Sequence, residues 1–347
     1  MTTSSSFSWN RILAWAGGIT VLITLFFSLR DFTGFFSSHT ANRQEVASLL
    51  ATAALQSGHG DYRSAWDVLA QADTMGQLED RVTAAREALA MDWLRSGHGT
   101  GPDHSLGALA TLVSPVLSKG AAGASDAHKA DLLAHLGWAE FYQWRGGDRQ
   151  VHPDEYYHQA LQLSPTNPYA HAMLAHWLLW NHQVPDSATQ HFSAALATDS
   201  ARPFIRTLQI AAYGNLRSPV GDAATLNVLA DMHSRGEPVP IDAREPVWGM
   251  HWSCFITTLA DCDAERLRGP VSPEDHLATW DWVMAGGGYP EAKGIQYEYV
   301  EARLREAAGQ TAVAAATYKA INAKAAEYES RFRARIAEGL RRTTKPR

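Results

Sequence analysis

One spacing of side chains recurs along the chain and limits what its helices can pack against. Behind a turn, a small residue is followed four positions later by a larger one, and three positions after that by a second small residue. The spacing occurs at Ala65, Leu69 and Ala72 and again at Ala188, Phe192 and Ala195. On an α-helix these positions share one face, where small residues let a second helix approach closely and the larger residue fills the gap. The pattern therefore predicts helical hairpins with this face on the second helix.

Two further copies extend the pattern into a repeat. They lie at Tyr157 and Ala160, which fill only the last two positions, and at Ala314, Tyr318 and Ile321. Ala160 and Ala195 are 35 residues apart, close to the period of about 34 residues in one family of helix–turn–helix repeats. Here the chain resembles the tetratricopeptide repeat (TPR) family.

The resemblance is best in the middle of the chain. Leu136-Gly137, Leu163-Ser164-Pro165 and Asn167-Pro168-Tyr169-Ala170 read like the end of one repeat and the start of the next. Leu174-Ala175 replaces the Leu-Gly pair that the family usually has, and residues 202–290 match poorly. The resemblance implies a right-handed α-solenoid of TPR-like hairpins.

Composition indicates a helical protein that does not bind nucleic acid. The chain has 347 residues, is rich in alanine and has few β-branched runs, which indicates an all-α fold. Its formal net charge of −6 argues against a nucleic-acid binder, which usually carries a basic face. The 15 histidines show no spacing that places two metal ligands on one helical face, and no catalytic or nucleotide-binding motif occurs. We therefore expect no metal, no cofactor, no small-molecule substrate and no enzymatic activity.

An uncharged segment near the amino terminus predicts a membrane anchor. Ile12 to Leu29 holds eighteen residues without a charge, and as a helix it would span ~27 Å of a hydrocarbon core about 30 Å thick. A buried core helix and a cleaved signal peptide are the alternatives, although a polar stretch follows the run and no convincing cleavage site does. Arg11 and the amino terminus flank one side without an acid, whereas Asp31 offsets Arg30 on the other. The positive-inside rule then favours a single-pass protein of a bacterial inner membrane with its body in the periplasm.

These features divide the chain into five segments. They are a polar tail (1–11), the transmembrane anchor (12–29), a juxtamembrane linker (30–43), TPR-like helical repeats (44–236), and degenerate helical repeats that end in a basic helix (237–347). Pro238 and Pro240 mark the expected boundary between the last two segments. The basic helix is expected to run unbroken over residues 312–342. Its arginines would form a solvated cap or contact anionic lipid or an acidic partner.

The resemblance also implies a binding face. In TPR proteins the first helix of each hairpin lines a concave groove that binds peptides or partner helices. Transferring those positions through Leu136-Gly137 and Leu174-Ala175 gives eight partner-binding residues: Asp131, His135, Trp138, Tyr142, Tyr169, Met173, His176 and Trp180. Aromatic side chains and methionine are enriched at protein interfaces. The alternative for each residue is packing between hairpins.

The sequence therefore predicts a non-enzymatic, membrane-anchored TPR-like scaffold or adaptor. Its groove would bind a protein partner or peptide segment, as an accessory subunit of a bacterial envelope complex. Two alternatives stay open. One is an α-superhelical enzyme acting on a cell-envelope polymer, whose catalytic acid would lie within residues 202–290. The other is a purely structural subunit of a membrane complex.

Overall fold

The computed structural model describes most of the chain beyond residue 39. The described residues are 40–100, 104–182, 184–216, 218–239, 272–285, 295–324 and 330–344. The expected anchor, Ile12 to Leu29, lies outside them and stays a prediction. Within the described residues every regular element is a helix, apart from an isolated bridge between Thr100 and Ser105. The all-α class is confirmed for this part of the chain.

The helices group into two compact units, Met1–Gly120 and Ala121–Arg347. In the first unit residues 40–58 form α1, followed by α2 (Tyr62–Thr74), α3 (Glu79–Ser96) and α4 (Leu106–Gly123), whose last residues pass the boundary. The second unit contains α5 (Asp126–Arg145), α6 (Pro153–Leu163), α7 (Pro168–Trp177), α8 (Pro185–Leu196), α9 (Arg202–Asn215), α10 (Pro219–Ser234), α11 (Pro273–Ala285), α12 (Ile295–Ala307), α13 (Thr311–Lys324) and α14 (Ser330–Thr344). A π-helical turn, Leu178–His182, directly continues α7.

The α1–α2 hairpin forms where the sequence predicted it. Gly60 takes a positive φ of 80°, which glycine adopts without the steric penalty of a side chain. The Asp61 carboxylate then caps α2 by accepting a backbone amide of its first turn at 3.2 Å. Ala65 and Ala72 are fully buried, and Leu69 is 2% exposed. The small–large–small face of α2 is therefore a packed face, as predicted.

The α5–α6 hairpin requires glycine at position 137. A Cβ atom on Gly137 would lie 2.5 Å from the Tyr157 ring and 2.9 Å from the Pro153 carbonyl oxygen. A side chain there would push the two helices apart. Pro153 begins α6, where its missing N–H removes no helical hydrogen bond. The close crossing holds α5, which carries half of the aromatic cluster described below.

The α7–α8 hairpin repeats this arrangement. Asn167 caps α7 by accepting the Ala170 amide at 2.8 Å. Ala188, Phe192 and Ala195 of α8 are all fully buried, which confirms the predicted packed face. Helix α7 packs against α5, α6, α8 and α9, so it is the shared neighbour of the hairpins in this part of the second unit.

An ion cluster around buried Arg206 joins α9 to α10 and to Glu237, three residues beyond the end of α10. The Arg206 side chain is 3% exposed and lies 3.1 Å from Glu237, and it also pairs with Asp231. Arg202 lies 3.3 Å from the same Glu237 carboxylate. Residues 240–271 lie outside the described residues, so the expected boundary at Pro238 and Pro240 stays a prediction.

The end of the chain differs from the expected single helix over residues 312–342. Helices α13 and α14 are separate and pack against each other. A Cβ atom on Gly339 would lie 2.5 Å from the Tyr318 ring, so the glycine lets α14 approach α13 closely. Tyr318 donates to Glu306 of α12 at 2.9 Å, and Arg342 of α14 donates to the same carboxylate at 2.7 Å. The prediction was wrong because tertiary packing around Tyr318 overrides the helical propensity of the segment.

One described helix, α4, is long and apolar enough to cross a membrane. Part of it also packs inside the first unit, where Leu109, Val113 and Leu117 are fully buried. Length and composition alone do not separate a membrane span from the core helix of a soluble protein. Helix α4 therefore adds no support to the predicted N-terminal anchor.

Candidate functional site

Aromatic side chains gather where α5, α7 and the π-helical turn meet. We call this group the aromatic cluster; its members are Trp138, Phe141, Tyr142, Trp144, His176, Trp177, Trp180 and Phe204. The Phe141 ring centroid lies 4.8 Å from that of Trp138 and 4.9 Å from that of His176. The Trp144 and Trp177 rings meet edge to face at 5.2 Å. Stacked and edge-to-face contacts of this kind add to the stability that burial alone gives.

Helical spacing explains why these rings come together. Trp138, Phe141 and Arg145 are three and four residues apart, so they project from one face of α5. His176 and Trp180 are four apart on α7 and its continuation, and their rings stack at 5.8 Å. The π-helical turn places one more residue in that turn than an α-helix would, which redirects the side chains after it. The sequence indicated both aromatic faces but not the π-helical turn.

The structure places the eight predicted partner-binding residues in two environments. Five are buried in the packing between helices: His135, Trp138, Tyr142, Met173 and His176. Three are partly exposed: Asp131, Tyr169 and Trp180. Packing between hairpins was the alternative that the sequence left open, and it describes the first five in this structure. Whether any of the eight contacts a partner stays a prediction.

Two of the partly exposed residues help to join α5 to the start of α7. Asn167 donates from Nδ2 to the Asp131 carboxylate at 2.7 Å. His135 Nδ1 lies 2.7 Å from the Asp131 carbonyl oxygen, and because a carbonyl can only accept, Nδ1 is the protonated nitrogen. The Tyr169 ring meets the His135 ring at 4.9 Å. These predicted groove residues therefore hold two hairpins together.

His176 is a neutral histidine inside the aromatic cluster. Burial, together with the positive charge of Arg145, lowers the pKa of His176 to about 3. Its Nδ1 atom is buried and has no hydrogen-bond partner among the described residues, which carries a desolvation penalty. Burial likewise raises the pKa of Tyr142 to about 12. Neither group ionises near neutral pH, so the interior of the cluster carries no charge from them.

Two arginines extend the cluster to the surface. The Arg145 guanidinium carbon lies 5.0 Å from the centre of the Trp180 ring, and that of Arg149 lies 3.9 Å from the centre of the Trp144 ring. Both arginines are exposed, and both tryptophans are partly exposed. We call Trp144, Arg145, Arg149 and Trp180 the aromatic–arginine edge. Stacking on an indole holds a guanidinium in one plane while its N–H groups stay free to meet an acceptor.

Among the described residues, neither arginine of the edge forms an ion pair, and the acids near them in sequence have other partners. Asp148 accepts the Gln150 amide at 3.0 Å, and Glu140 accepts the His152 amide at 3.1 Å. The edge was not predicted from the sequence. Its signal was the Trp144-Arg145 pair at the end of an aromatic helix face, followed four residues later by Arg149 in the turn after α5. Whether such an arginine stacks or pairs with an acid depends on tertiary structure.

A pair of histidines lies outside the aromatic cluster. Nδ1 of His171 on α7 is 2.8 Å from Nδ1 of His191 on α8, and Nε2 of His171 is 2.9 Å from the Pro165 carbonyl oxygen. The two histidines are 20 residues apart in the sequence, so no local spacing predicted their contact. In the part of the chain that the structure describes, no group of three or more potential ligands is arranged to hold a metal ion.

Comparison with solved structures finds a distant match. A tetratricopeptide repeat protein from Parabacteroides merdae is 15% identical to this chain, with a TM-score of 0.40 over 87% of this chain and 100% of that one. No protein-family model matches the sequence, and no curated protein matches it. So distant a similarity transfers neither a binding site nor a partner. The helical hairpins themselves justify the description of the fold as TPR-like.

Proposed function

We propose that the chain is a non-catalytic, TPR-like scaffold that binds a protein partner through the aromatic–arginine edge. One observation supports this most: two exposed arginines are each stacked on a tryptophan, and neither is paired with an acid among the described residues. Tryptophan and arginine are over-represented among the residues that carry most of the binding energy of protein interfaces. The aromatic–arginine edge presents two tryptophans and two arginines.

The rings of the edge are held in place from behind. Trp180 packs edge to face on Phe141 at 5.8 Å, and Trp144 packs edge to face on Trp177 at 5.2 Å. Because these supporting rings are largely buried, the two tryptophans lose little conformational freedom when a partner covers them. Side chains ordered before binding give more net affinity than flexible ones, since ordering a side chain on association opposes binding.

The charge of the edge favours an acidic partner segment. The chain as a whole has a formal net charge of −6, whereas the edge presents two unpaired guanidinium groups. Carboxylates on the partner would complement them and would speed association at low ionic strength. Because exposed charges are screened over about 8 Å at physiological salt, binding should weaken as salt is added.

We further propose that Ile12 to Leu29 anchors this scaffold in a bacterial inner membrane, with its body in the periplasm, where it serves as an accessory subunit of an envelope complex. The uncharged length of the segment and the excess positive charge before it support this arrangement. A reporter that is active only in the periplasm, fused after Arg347, should be active. Activity of a cytoplasm-only reporter at the same position would reverse the orientation.

Quantitative affinity capture tests the binding proposal. The full chain, extracted in mild detergent from native membranes, should retain a protein partner at a constant stoichiometry. The double variant Arg145→Ala, Trp180→Ala should lose that partner at least about tenfold, because truncating such residues often costs about 2 kcal/mol or more of binding energy each.

The matched control is Arg63→Ala, an exposed arginine of α2 that pairs with Asp67 at 3.1 Å. It should bind as the unmodified chain does, and circular dichroism should show the same helical content for all three proteins. A double variant that folds and still binds fully would place the contact elsewhere. If no protein is retained at constant stoichiometry, the scaffold function itself is wrong.

A further inference from the structure

The two helices of the α7–α8 hairpin are joined by a hydrogen bond between histidine rings. The Nδ1 atoms of His171 and His191 are 2.8 Å apart, and their ring centroids are 5.1 Å apart. The centroid separation exceeds the nitrogen separation by about two ring radii, so the nitrogens face each other nearly in line. A straight contact of this length holds one hydrogen between two nitrogens.

The surroundings of His171 settle which nitrogen carries that hydrogen. Its Nε2 lies 2.9 Å from the Pro165 carbonyl oxygen, and because a carbonyl oxygen only accepts, Nε2 is the donor. A neutral imidazole has one N–H, so Nδ1 of His171 is an acceptor. Nδ1 of His191 therefore donates to it. When both rings are neutral, each of these three nitrogens therefore has a hydrogen-bond partner.

Protons added to the pair remove this contact. Protonating His171 puts a hydrogen on its Nδ1, so the hydrogen bond survives only if His191 moves its own hydrogen to Nε2. When both rings are protonated, both Nδ1 atoms carry hydrogen and no acceptor remains between them. Two positive rings then face each other across the hairpin, and like charges at such a distance repel.

No described carboxylate is among the groups that act on the charge of His191. Burial, His171 and His158 of α6, in that order, lower the pKa of His191. Helix α9 brings the Tyr213 hydroxyl to α8, where it bonds the Thr189 hydroxyl at 2.7 Å. Burial raises the pKa of Tyr213, so it stays neutral in acid.

We infer that the His171–His191 pair is an acid-sensitive latch, which closes the α7–α8 hairpin when one ring donates to the other and releases it when both rings are protonated. The direction of the pH effect on stability follows from thermodynamic linkage. Because folding lowers the pKa of His191, its contribution to stability is fully present above the ordinary histidine value of about 6.5 and is lost as the pH falls through the lowered value. The latch does not depend on the proposed partner binding.

Hydrogen exchange of the full chain, followed by mass spectrometry between about pH 7.5 and about pH 5, tests the latch. After correction for intrinsic exchange rates, protection of α8 amides should fall as the pH drops, by up to about tenfold per pH unit for one proton taken up. Protection of α8 that does not change with pH would overturn the inference.

His191→Gln gives the sharper comparison. A glutamine amide can still donate to Nδ1 of His171 but does not titrate, so this variant should keep α8 protected across the pH range. His158→Gln is the control and should retain most of the acid-induced loss. A loss in His191→Gln equal to that of the unmodified chain would contradict the latch.

Nitrogen-15 resonances of the unmodified chain give a readout that no variant can confound by failing to fold. They should show the Nε2–H tautomer for His171 and the Nδ1–H tautomer for His191. The same tautomer on both rings would also overturn the inference.

Discussion

Each compact unit stacks an arginine on a tryptophan, but the two arginines are in different states. In the first unit the Arg86 guanidinium lies 5.2 Å from the centre of the Trp66 ring and is also paired with Asp73. In the second unit Arg145 lies 5.0 Å from the centre of the Trp180 ring, and no described acid pairs with it. Trp66 is buried, whereas Trp180 is partly exposed.

The difference shows that a stacked arginine does not by itself mark a binding surface. An acid partner and a buried ring complete the arrangement at Trp66, which then serves the stability of its own unit. Where the acid is missing and the ring reaches the surface, as at Trp180, the guanidinium keeps donors for another molecule. Four experiments test this contrast between the two stacked arginines.

The largest expected effect is on the stability of the first unit. Trp66 is 5% exposed and its ring meets that of Trp93 at 6.2 Å. Trp66→Ala should lower the free energy of unfolding by about 3–5 kcal/mol, as truncation of a buried tryptophan usually does. Trp180→Ala should cost clearly less. Denaturant unfolding followed by circular dichroism measures both, and equal losses would make Trp180 as structural as Trp66.

The next effect is on the acid stability of the second unit. Since folding lowers the pKa of His176 to about 3 from an ordinary value of about 6.5, its contribution is present above about 6.5 and is lost as the pH falls. The loss reaches up to about 1.4 kcal/mol per pH unit. His176→Phe, which keeps an aromatic ring, should flatten this decline. Urea unfolding at several pH values measures it.

His98→Phe supplies the matched control for that experiment. His98 is an exposed histidine of the first unit whose ring lies 6.1 Å from the ring of Tyr62. This change should leave the acid dependence as it is in the unmodified chain. If His176→Phe also leaves the acid dependence of stability unchanged, His176 does not behave as a buried neutral group.

A smaller effect is expected on partner binding. Arg145→Ala combined with Arg149→Ala should weaken capture of the partner about tenfold, a change of about 1.4 kcal/mol. Arg86→Ala should leave capture intact, because that arginine is already engaged by Asp73. Titration of the purified partner would measure both. Equal weakening by the two changes would erase the distinction between the stacked arginines.

The smallest effect is expected when the Asp73 carboxylate of the first unit is removed. Asp73→Asn removes the ion pair with Arg86 but leaves the guanidinium on Trp66. The Asp73 side chain is 49% exposed, so the loss of unfolding free energy should stay below about 1 kcal/mol, as for other exposed pairs. Thermal unfolding measures it. A loss of several kcal/mol would show that the pair, rather than the ring, dominates this arrangement.

The hairpins could be predicted because their signal is local. Ala188, Phe192 and Ala195 are all fully buried, and their spacing alone reports that a helix face meets another helix closely. The close crossing at Gly137 was not predicted in this way, because Leu136-Gly137 entered only as part of the family resemblance. Small residues at fixed intervals have few uses on a helix other than close packing.

The binding face could not be predicted in the same way. Helical spacing identifies which residues share a face of α5, but not whether a neighbouring helix covers that face, so Trp138 and Tyr142 were expected in a groove and lie buried. Likewise, nothing in residues 312–342 signals the separation of α13 from α14. Contacts such as His171 with His191 depend on how whole helices are placed.

The π-helical turn at Leu178–His182 has a consequence at the level of the gene. Such a turn fits one more residue than an α-helix would, so it corresponds to a single inserted codon in an otherwise α-helical segment. Deleting that codon would let an ordinary α-helix form, and because the wider turn absorbs the extra residue, the side chains that follow the turn would keep their direction relative to α7. Only the side chains within the turn, Trp180 among them, would change their positions, so such a deletion could leave the following hairpin in place and still alter the aromatic–arginine edge.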